Sequence, residues 1–261
     1  MIDSHCHIDL PAFDEDRAQV IEKALSKGVK RILVPGLGIN QVDRLLALKA
    51  RFKTLDIAAG FHPYFLCELR AEEWREQLAI MAKWVDTYLG DLVAIGEFGI
   101  DATLPLTLSF QQRVFIDQLG LAQSVSKPVI LHHRQSHNEL IRLIKKCNFQ
   151  QGGVIHAFSG SAQIAQSYID LGFKLGVGGT ITYPRGEKTR KALTKVPLSA
   201  LLLETDAPDM PIYGFQGMRN TPERLGIVAE SLAELKQVSV EEIVNCTTAN
   251  YMSLFSSMSA P

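Results

Sequence analysis

Short apolar runs alternate along this chain with longer stretches in which apolar residues recur every three or four positions. The runs read as buried strands and the periodic stretches as amphipathic helices. The first strand ends near His7, and residues 14–27 follow as a helix. There Ala18, Ile21 and Leu25 fall at helical spacing, Val20 and Ala24 widen the stripe, and Gly28 closes it. A strand over 31–34, a helix over about 40–52 and a strand over 55–60 come next, then a helix over 71–89 with Trp74 and Trp84. The fourth strand, 92–97, precedes a long helix over about 107–126 with Phe110, Val114, Leu119 and Leu121.

The second half keeps the rhythm. Strands over 128–132, 153–156 and 173–177 are followed by helices over 136–147, 161–171 and 187–195. A strand over 200–204 leads into a loop, a helix over 222–236 and a final helix from Ser239 to about Phe255. Ser239 stands as its N-cap with Glu242 three residues on, the spacing of a capping box. Eight strand–helix units in 261 residues predict a parallel sheet of the α/β class, closed as a single-domain (β/α)8 TIM barrel over residues 1–261. An open doubly wound sheet is the competing architecture. Against it, the first strand lacks the G-x-G-x-x-G turn of a dinucleotide fold, and polar residues end strands 1, 4, 5, 6 and 8, which suits a closed ring.

Composition narrows the partners more than the fold. Hydrophobic residues at 46% and charged ones at 21% supply a sizeable core, and a net charge of −1 exerts no global pull on polyanions. Any nucleic-acid site must be a local patch. Cys6, Cys67, Cys147 and Cys246 are widely spaced with no C-x-x-C pair, which suits free thiols in a reducing compartment. The first residues lack the pattern of a secretory signal, and no run approaches the roughly 20 apolar residues of a membrane span. A cytoplasmic protein with no membrane association and no obligate protein partner is the expectation.

The strand ends carry the chemistry. His5, His7, Glu97, His132, His156 and Asp206 each follow a short apolar run, so all six can reach one pocket at the downstream end of a barrel. Imidazoles and carboxylates gathered there form the donor set of a divalent-metal site. His5 and His7, two apart, face the same way on a strand, with Asp3 and Asp9 nearby to support them. Of the adjacent His132 and His133 only one can point inward. His132 directly follows the apolar run, and Arg134 shares its face, suited to a phosphate oxygen. His133 reads as packing or support, and His137 as an ordinary exposed residue. Residues 157–161 could present N–H groups to an anion or could simply cap a helix. Glu204 shares a face with Asp206, whose carboxylate could orient a water and take its proton. Read alone, each has a plainer account: a loop-capping histidine, an acidic turn at Glu97, a turn-forming Asp206. Six such donors at five strand ends make the joint reading a metal-dependent hydrolase.

Asp3-Ser4-His5-Cys6-His7-Ile8-Asp9, Gly60-Phe61-His62-Pro63, Gly96-Glu97-Phe98-Gly99-Ile100-Asp101, Pro128-Val129-Ile130-Leu131-His132, His156-Ala157-Phe158-Ser159-Gly160 and Glu204-Thr205-Asp206-Ala207-Pro208 resemble, in order, the motifs of the TatD family of metal-dependent DNases. Arg219-Asn220-Thr221-Pro222 resembles its R-N-x-P element, and the likeness runs from residue 3 to about residue 255. The resemblance implies a TIM-barrel hydrolase of the amidohydrolase superfamily with two divalent cations, for which this donor set admits Zn, Mn or Mg. It also implies that His5, His7 and Asp206 hold one cation, His132 and His156 the other, that Glu97 bridges them, and that His62 lies in the active site near the second. Phe98 and His133 depart from the residues common in the family, Cys and Ser, which puts pocket shape in question.

The expected reaction is in-line attack of a metal-activated water on a phosphodiester, with Asp206 as the proton acceptor and nucleic acid, as DNA ends or single strands, as substrate. His62, Arg134, Arg185 and Arg219 are the candidate substrate contacts. The stretch Arg185, Lys188, Arg190, Lys191 and Lys195 is either a nucleic-acid patch or a solvated helix face. Hydrolysis of a C–N or ester bond in a small molecule is the rival, since many binuclear relatives in the superfamily bridge their metals with a modified lysine. Here the fourth strand ends in Glu97 and no lysine, which favours the phosphodiester.

Overall fold

A computed structural model of the protein describes residues 1–255, so the last part of the expected 1–261 domain lies outside the described residues. Eight strands form one all-parallel sheet in sequential order: β1 Ile2–Asp3, β2 Arg31–Val34, β3 Leu55–Ala59, β4 Leu92–Asp101, β5 Val129–Arg134, β6 Gly153–Ile155, β7 Phe173–Val177 and β8 Leu201–Leu203. The seam between first and last strands is joined by Ser4 N–H to the Leu203 carbonyl at 2.9 Å and Asp206 N–H to the His5 carbonyl at 2.9 Å. Around this ring lie α1 Arg17–Ser26, α2 Val42–Arg51, α3 Trp74–Thr87, α4 Leu108–Ser124, α5 His137–Lys146, α6 Ala162–Ile169, α7 Glu187–Lys195, α8 Leu225–Lys236 and α9 Val240–Phe255. The expected TIM barrel is the fold.

Two apolar layers follow from the alternation of side chains along each strand. Ile2, Leu33, Ala58, Ala94, Ile130, Val154 and Leu202 point into the barrel, where Tyr251 and Phe255 of α9 close the upstream end. Ile32, Ile57, Ile95, Leu131, Ile155, Leu175 and Leu203 point outward against the helices. Burying each such side chain contributes about 1.5–3 kcal/mol. Tyr251 donates to Asp56 at 2.6 Å, and Arg31 holds the other oxygen of that carboxylate at 2.7 Å, so the polar groups at the closed end are matched. Tyr251 and Phe255 fill the barrel interior from upstream, and the strand-end donors open into a pocket at the downstream end.

Three expectations needed correction. Ala18 and Leu25 of α1 are exposed, and the buried stripe is Val20, Ile21 and Ala24. Arg17 donates to the carbonyls of Ile8, Asp9 and Leu10, and this anchor sets the rotation of the helix. The first strand ends at Asp3 rather than near His7, because the chain then bonds alternately to both neighbours: Cys6 N–H to Leu33 and His7 N–H to Ala207. The fourth strand runs on to Asp101, since Gly99, Ile100 and Asp101 pair with His132, His133 and Arg134. Gly99 is essential to this contact, for a Cβ there would lie 1.9 Å from the His132 carbonyl oxygen. Ser239 does cap α9, accepting from Glu242 N–H at 3.1 Å.

Candidate metal centre

Glu97 is the hub of the pocket, and a register shift puts it there. Ile95 pairs with Val129, Gly96 with Ile130 and Phe98 with Leu131, so Glu97 is an extra residue in its strand. Ala94 faces inward and Ile95 outward, and simple alternation would turn Glu97 outward with Ile95. The inserted residue turns it into the barrel instead and sends Phe98 outward, where it meets Phe115 with ring centroids 5.4 Å apart. Phe98 is therefore not part of the pocket wall, contrary to expectation.

Each carboxylate oxygen of Glu97 serves a different group of imidazoles. Oε2 lies 3.1 Å from His5 Nε2 and 3.5 Å from His7 Nε2. Oε1 lies 3.1 Å from His132 Nδ1, 3.2 Å from His156 Nε2 and 3.4 Å from His62 Nε2. Asp206 Oδ1 joins the first group, 3.6 Å from His5 Nε2 and 3.7 Å from His7 Nε2. The five other expected donors thus gather around Glu97, a carboxylate that faces two ways. His5, His7, Glu97 and His156 are buried, while His132 is half-buried.

Three strand-end devices aim these side chains. His132 and His156 point inward by plain alternation after Ile130 and Val154. Asp206 has a left-handed backbone, φ 58°, of the kind that costs of order 1 kcal/mol for a residue other than glycine and is found at sites that need it. Asp3, buried beside them, accepts from Thr205 N–H at 3.0 Å and from its hydroxyl at 2.6 Å. Asp3 therefore fixes the strand ends that carry His5 and Asp206, and it does not reach the ligand nitrogens.

The residues fit divalent cations. His5 Nε2 and His7 Nε2 face each other at 3.2 Å, a spacing at which both cannot carry protons and a shared cation satisfies both lone pairs. Ligand nitrogens at 2.0–2.1 Å from a tetrahedral ion sit about 3.3 Å apart, the spacing found here. His62 differs from the others. Its Nδ1 accepts from Tyr64 N–H at 3.1 Å, which leaves the proton of the neutral ring on Nε2, aimed at Glu97. Burial lowers its pKa to about 3, so the ring is neutral, and the bond from Tyr64 leaves its proton on Nε2. Burial works against the charge of Glu97, yet the imidazoles of His156, His62 and His5 hold it well below the usual carboxylate range. Burial raises Asp206 to about 6, opposed by His156 and His7.

A cavity of about 440 Å³ opens over this cluster, lined by His7, His62, Glu97, Asp101, Arg134 and Asp206 among others. The larger cavity, about 580 Å³ beside Arg31 and Tyr251, lies at the opposite end of the barrel and contains none of these donors. Arg134 is on the pocket wall as expected. Arg185 is not: its guanidinium lies over the Tyr183 ring at 4.9 Å, beside a neighbouring cleft. Arg219 is engaged elsewhere, gripping Asp16 at 2.6 and 2.9 Å and lying over Phe13. On α7, Arg190 turns to the Ile181 carbonyl and Lys191 pairs with Glu187, so the basic stretch is mostly a helix face. Residues 157–161 cap a helix: Ala157 N–H goes to Glu204, and Ser161 accepts from Ile164 N–H.

Sequence reasoning missed three residues. His137 is half-buried, stacked on His133 at 4.1 Å and bonded to Tyr168 and the Ser159 carbonyl, so it packs rather than facing solvent. Asp101 and Glu204 stand behind His132 and His156, with contacts of 3.7 and 3.5 Å to their outer nitrogens. The sequence signal for Glu204 was its two-residue offset from Asp206. Asp101 gave none, because its strand extends beyond the apolar run.

Comparison with known proteins gives matches along nearly the whole chain. The sequence profile of the family described as TatD related DNase matches residues 2–256. A protein of Escherichia coli (strain K12) described as an uncharacterized metal-dependent hydrolase, YjjV, is 41% identical over 255 residues, with 97% of each chain covered. The crystal structure of YjjV, a TatD homolog, superposes with a TM-score of 0.91 at 39% identity, covering 100% of this chain and 98% of that one. The human deoxyribonuclease TATDN3 is 28% identical over 98% of this chain and 94% of its own.

Proposed function

The chain belongs to the family of TatD-related DNases, and on that premise we propose that it is a divalent-metal-dependent phosphodiesterase acting on DNA, at ends or in single strands. The observation that carries this reading is Glu97, whose two oxygens face two separate sets of imidazoles at the open end of the barrel. His5, His7 and Asp206 would hold one cation, His132 and His156 a second, with Glu97 between them. Bound there, Zn, Mn or Mg would polarise the phosphoryl oxygen and ease deprotonation of the attacking water.

The rest of the chemistry belongs to side chains. Asp206 lines the pocket beside His5 and His7, and its carboxylate accepts the proton of the attacking water. His62 lines the substrate pocket with its Nε2 proton turned toward Glu97 Oε1, and the Tyr64 N–H holds the ring in that orientation. Arg134, exposed on the pocket wall, takes a phosphate oxygen. Arg185 lies further out and would meet only a longer strand, while Arg219 supports the loop through Asp16. The four free cysteines suit a reducing, cytoplasmic setting, and among the described residues no helix is long and apolar enough to cross a membrane.

The test is a substrate panel. Metal-loaded protein is incubated with single-stranded and duplex DNA, RNA, bis(p-nitrophenyl) phosphate, and a set of amides and lactones. Release of nucleotides from DNA supports the proposal. Turnover confined to amides or lactones overturns it in favour of C–N or carboxylic-ester hydrolysis.

A further inference from the structure

The two halves of the centre are built differently behind their ligands. His156 presents Nε2 to Glu97 and its opposite nitrogen, Nδ1, to Glu204 Oε1 at 3.5 Å. His132 presents Nδ1 to Glu97 and its opposite nitrogen, Nε2, to Asp101 Oδ2 at 3.7 Å. None of the four outer nitrogens makes a hydrogen bond, and the difference lies in the nearest charge: the Nδ1 atoms of His5 and His7 have no carboxylate at ion-pair distance among the described residues. Carboxylates thus back one pair of histidines and not the other.

Both carboxylates are held in place before any ligand arrives. Glu204 is fully buried, and its Oε1 accepts the Ala157 N–H at 2.6 Å, immediately beside His156. Its other oxygen fills space that exists only because residue 176 is glycine: a Cβ there would lie 2.0 Å from Oε2. Asp101 Oδ1 accepts from the Thr103 N–H at 2.9 Å and hydroxyl at 2.6 Å, which leaves Oδ2 for His132. The Gln111 side chain bonds both the N–H and the carbonyl of Asp101, at 2.9 and 3.0 Å, and fixes its backbone. A carboxylate facing the outer nitrogen of a histidine orients the ring, fixes its tautomer and makes the inner nitrogen a stronger donor.

We propose that Asp101 and Glu204 are positioning residues that set the cation affinity of the His132/His156 half of the centre selectively, without contributing to the His5/His7/Asp206 half. The inference rests on the two-cation reading above. It goes beyond that reading by assigning a role to two carboxylates outside the proposed ligand set, and by predicting that one binding step can be weakened without the other.

The test is a calorimetric titration of chelator-stripped protein with Co²⁺, with the visible absorption of the bound ion recorded in parallel. Wild type, Glu204→Gln, Asp101→Asn and His156→Ala are compared, with circular dichroism as the check on folding. The expected result is two binding steps in wild type. Glu204→Gln and Asp101→Asn weaken the step that His156→Ala removes, by about 10- to 100-fold, and leave the other within twofold. The absorption bands change only for the weakened ion. Unchanged affinities in both folded variants overturn the proposal, and so does an equal loss in both steps, which would mark a loosened barrel. If Glu204→Gln fails to fold, Asp101→Asn alone decides by the same criteria. A wild type that takes up fewer than two ions defeats the two-cation reading itself, a result distinct from either of these.

Discussion

Asp3 and Thr205, 202 residues apart, are joined by two hydrogen bonds: the Thr205 N–H and hydroxyl both donate to the Asp3 carboxyl, at 3.0 and 2.6 Å. This contact ties the first strand to the last and sets His5 beside Asp206. Closure of the barrel and the meeting of His5 with Asp206 are therefore one event.

Thr205→Val keeps the shape of the side chain and removes the hydroxyl, leaving a buried carboxylate oxygen without its donor. The expected loss is about 1–3 kcal/mol of stability, read from the midpoint of urea unfolding at constant m-value. An unchanged midpoint would remove Asp3 from its role as the clasp of the seam.

Glu97→Gln should fold, because the amide has the size of the carboxylate, yet its uncharged head cannot serve cations on both sides. Metal analysis of the purified variant should show less than the wild-type complement, with activity down by at least about 100-fold. Full metal content and full activity together would displace Glu97 from the centre.

For Asp206→Asn the effect should fall chiefly on turnover. Losing the proton acceptor costs about 10²–10⁴ in kcat, and adding metal in excess should not restore it. Recovery to the wild-type rate at saturating metal would mean that Asp206 only binds the ion.

The two arginines nearest the sequence motifs should behave in opposite ways. Arg134→Ala is expected to raise KM for oligonucleotides several-fold with little change in melting temperature, since the side chain is exposed on the pocket wall. Arg219→Ala is expected to lower the melting temperature and leave KM within twofold, since its guanidinium is spent on Asp16 and the Ala12 carbonyl. The reverse pattern would return Arg219 to the substrate.

Gly99→Ala tests the register of the fourth strand. Its Cβ would sit 1.9 Å from the His132 carbonyl oxygen, so β4 and β5 must separate where Glu97 and His132 meet. We expect a loss of about 3 kcal/mol or more, or no folded protein, by thermal melting. A wild-type melting temperature would show that the strands have room to move.

Much of this protein was legible from sequence because its signals are local. Apolar runs and helical periodicity repeat within a few residues, so they marked every strand and helix in order, and with them the barrel. Six metal-type donors followed those runs, and strict alternation after Ile130 was enough to choose His132 over His133. What the tertiary structure alone decided depended on contacts far apart in the chain. A one-residue shift against β5 turned Glu97 inward where alternation would have turned it out. Asp16 drew Arg219 away from the pocket, and His133 drew His137 off the surface. Gly176 made room for Glu204 behind His156, and pairing with β5 carried Asp101 to His132. Periodicity along a strand states which residues share a face. Register, ring rotation and the competition among partners for one guanidinium are settled only when separate strands meet.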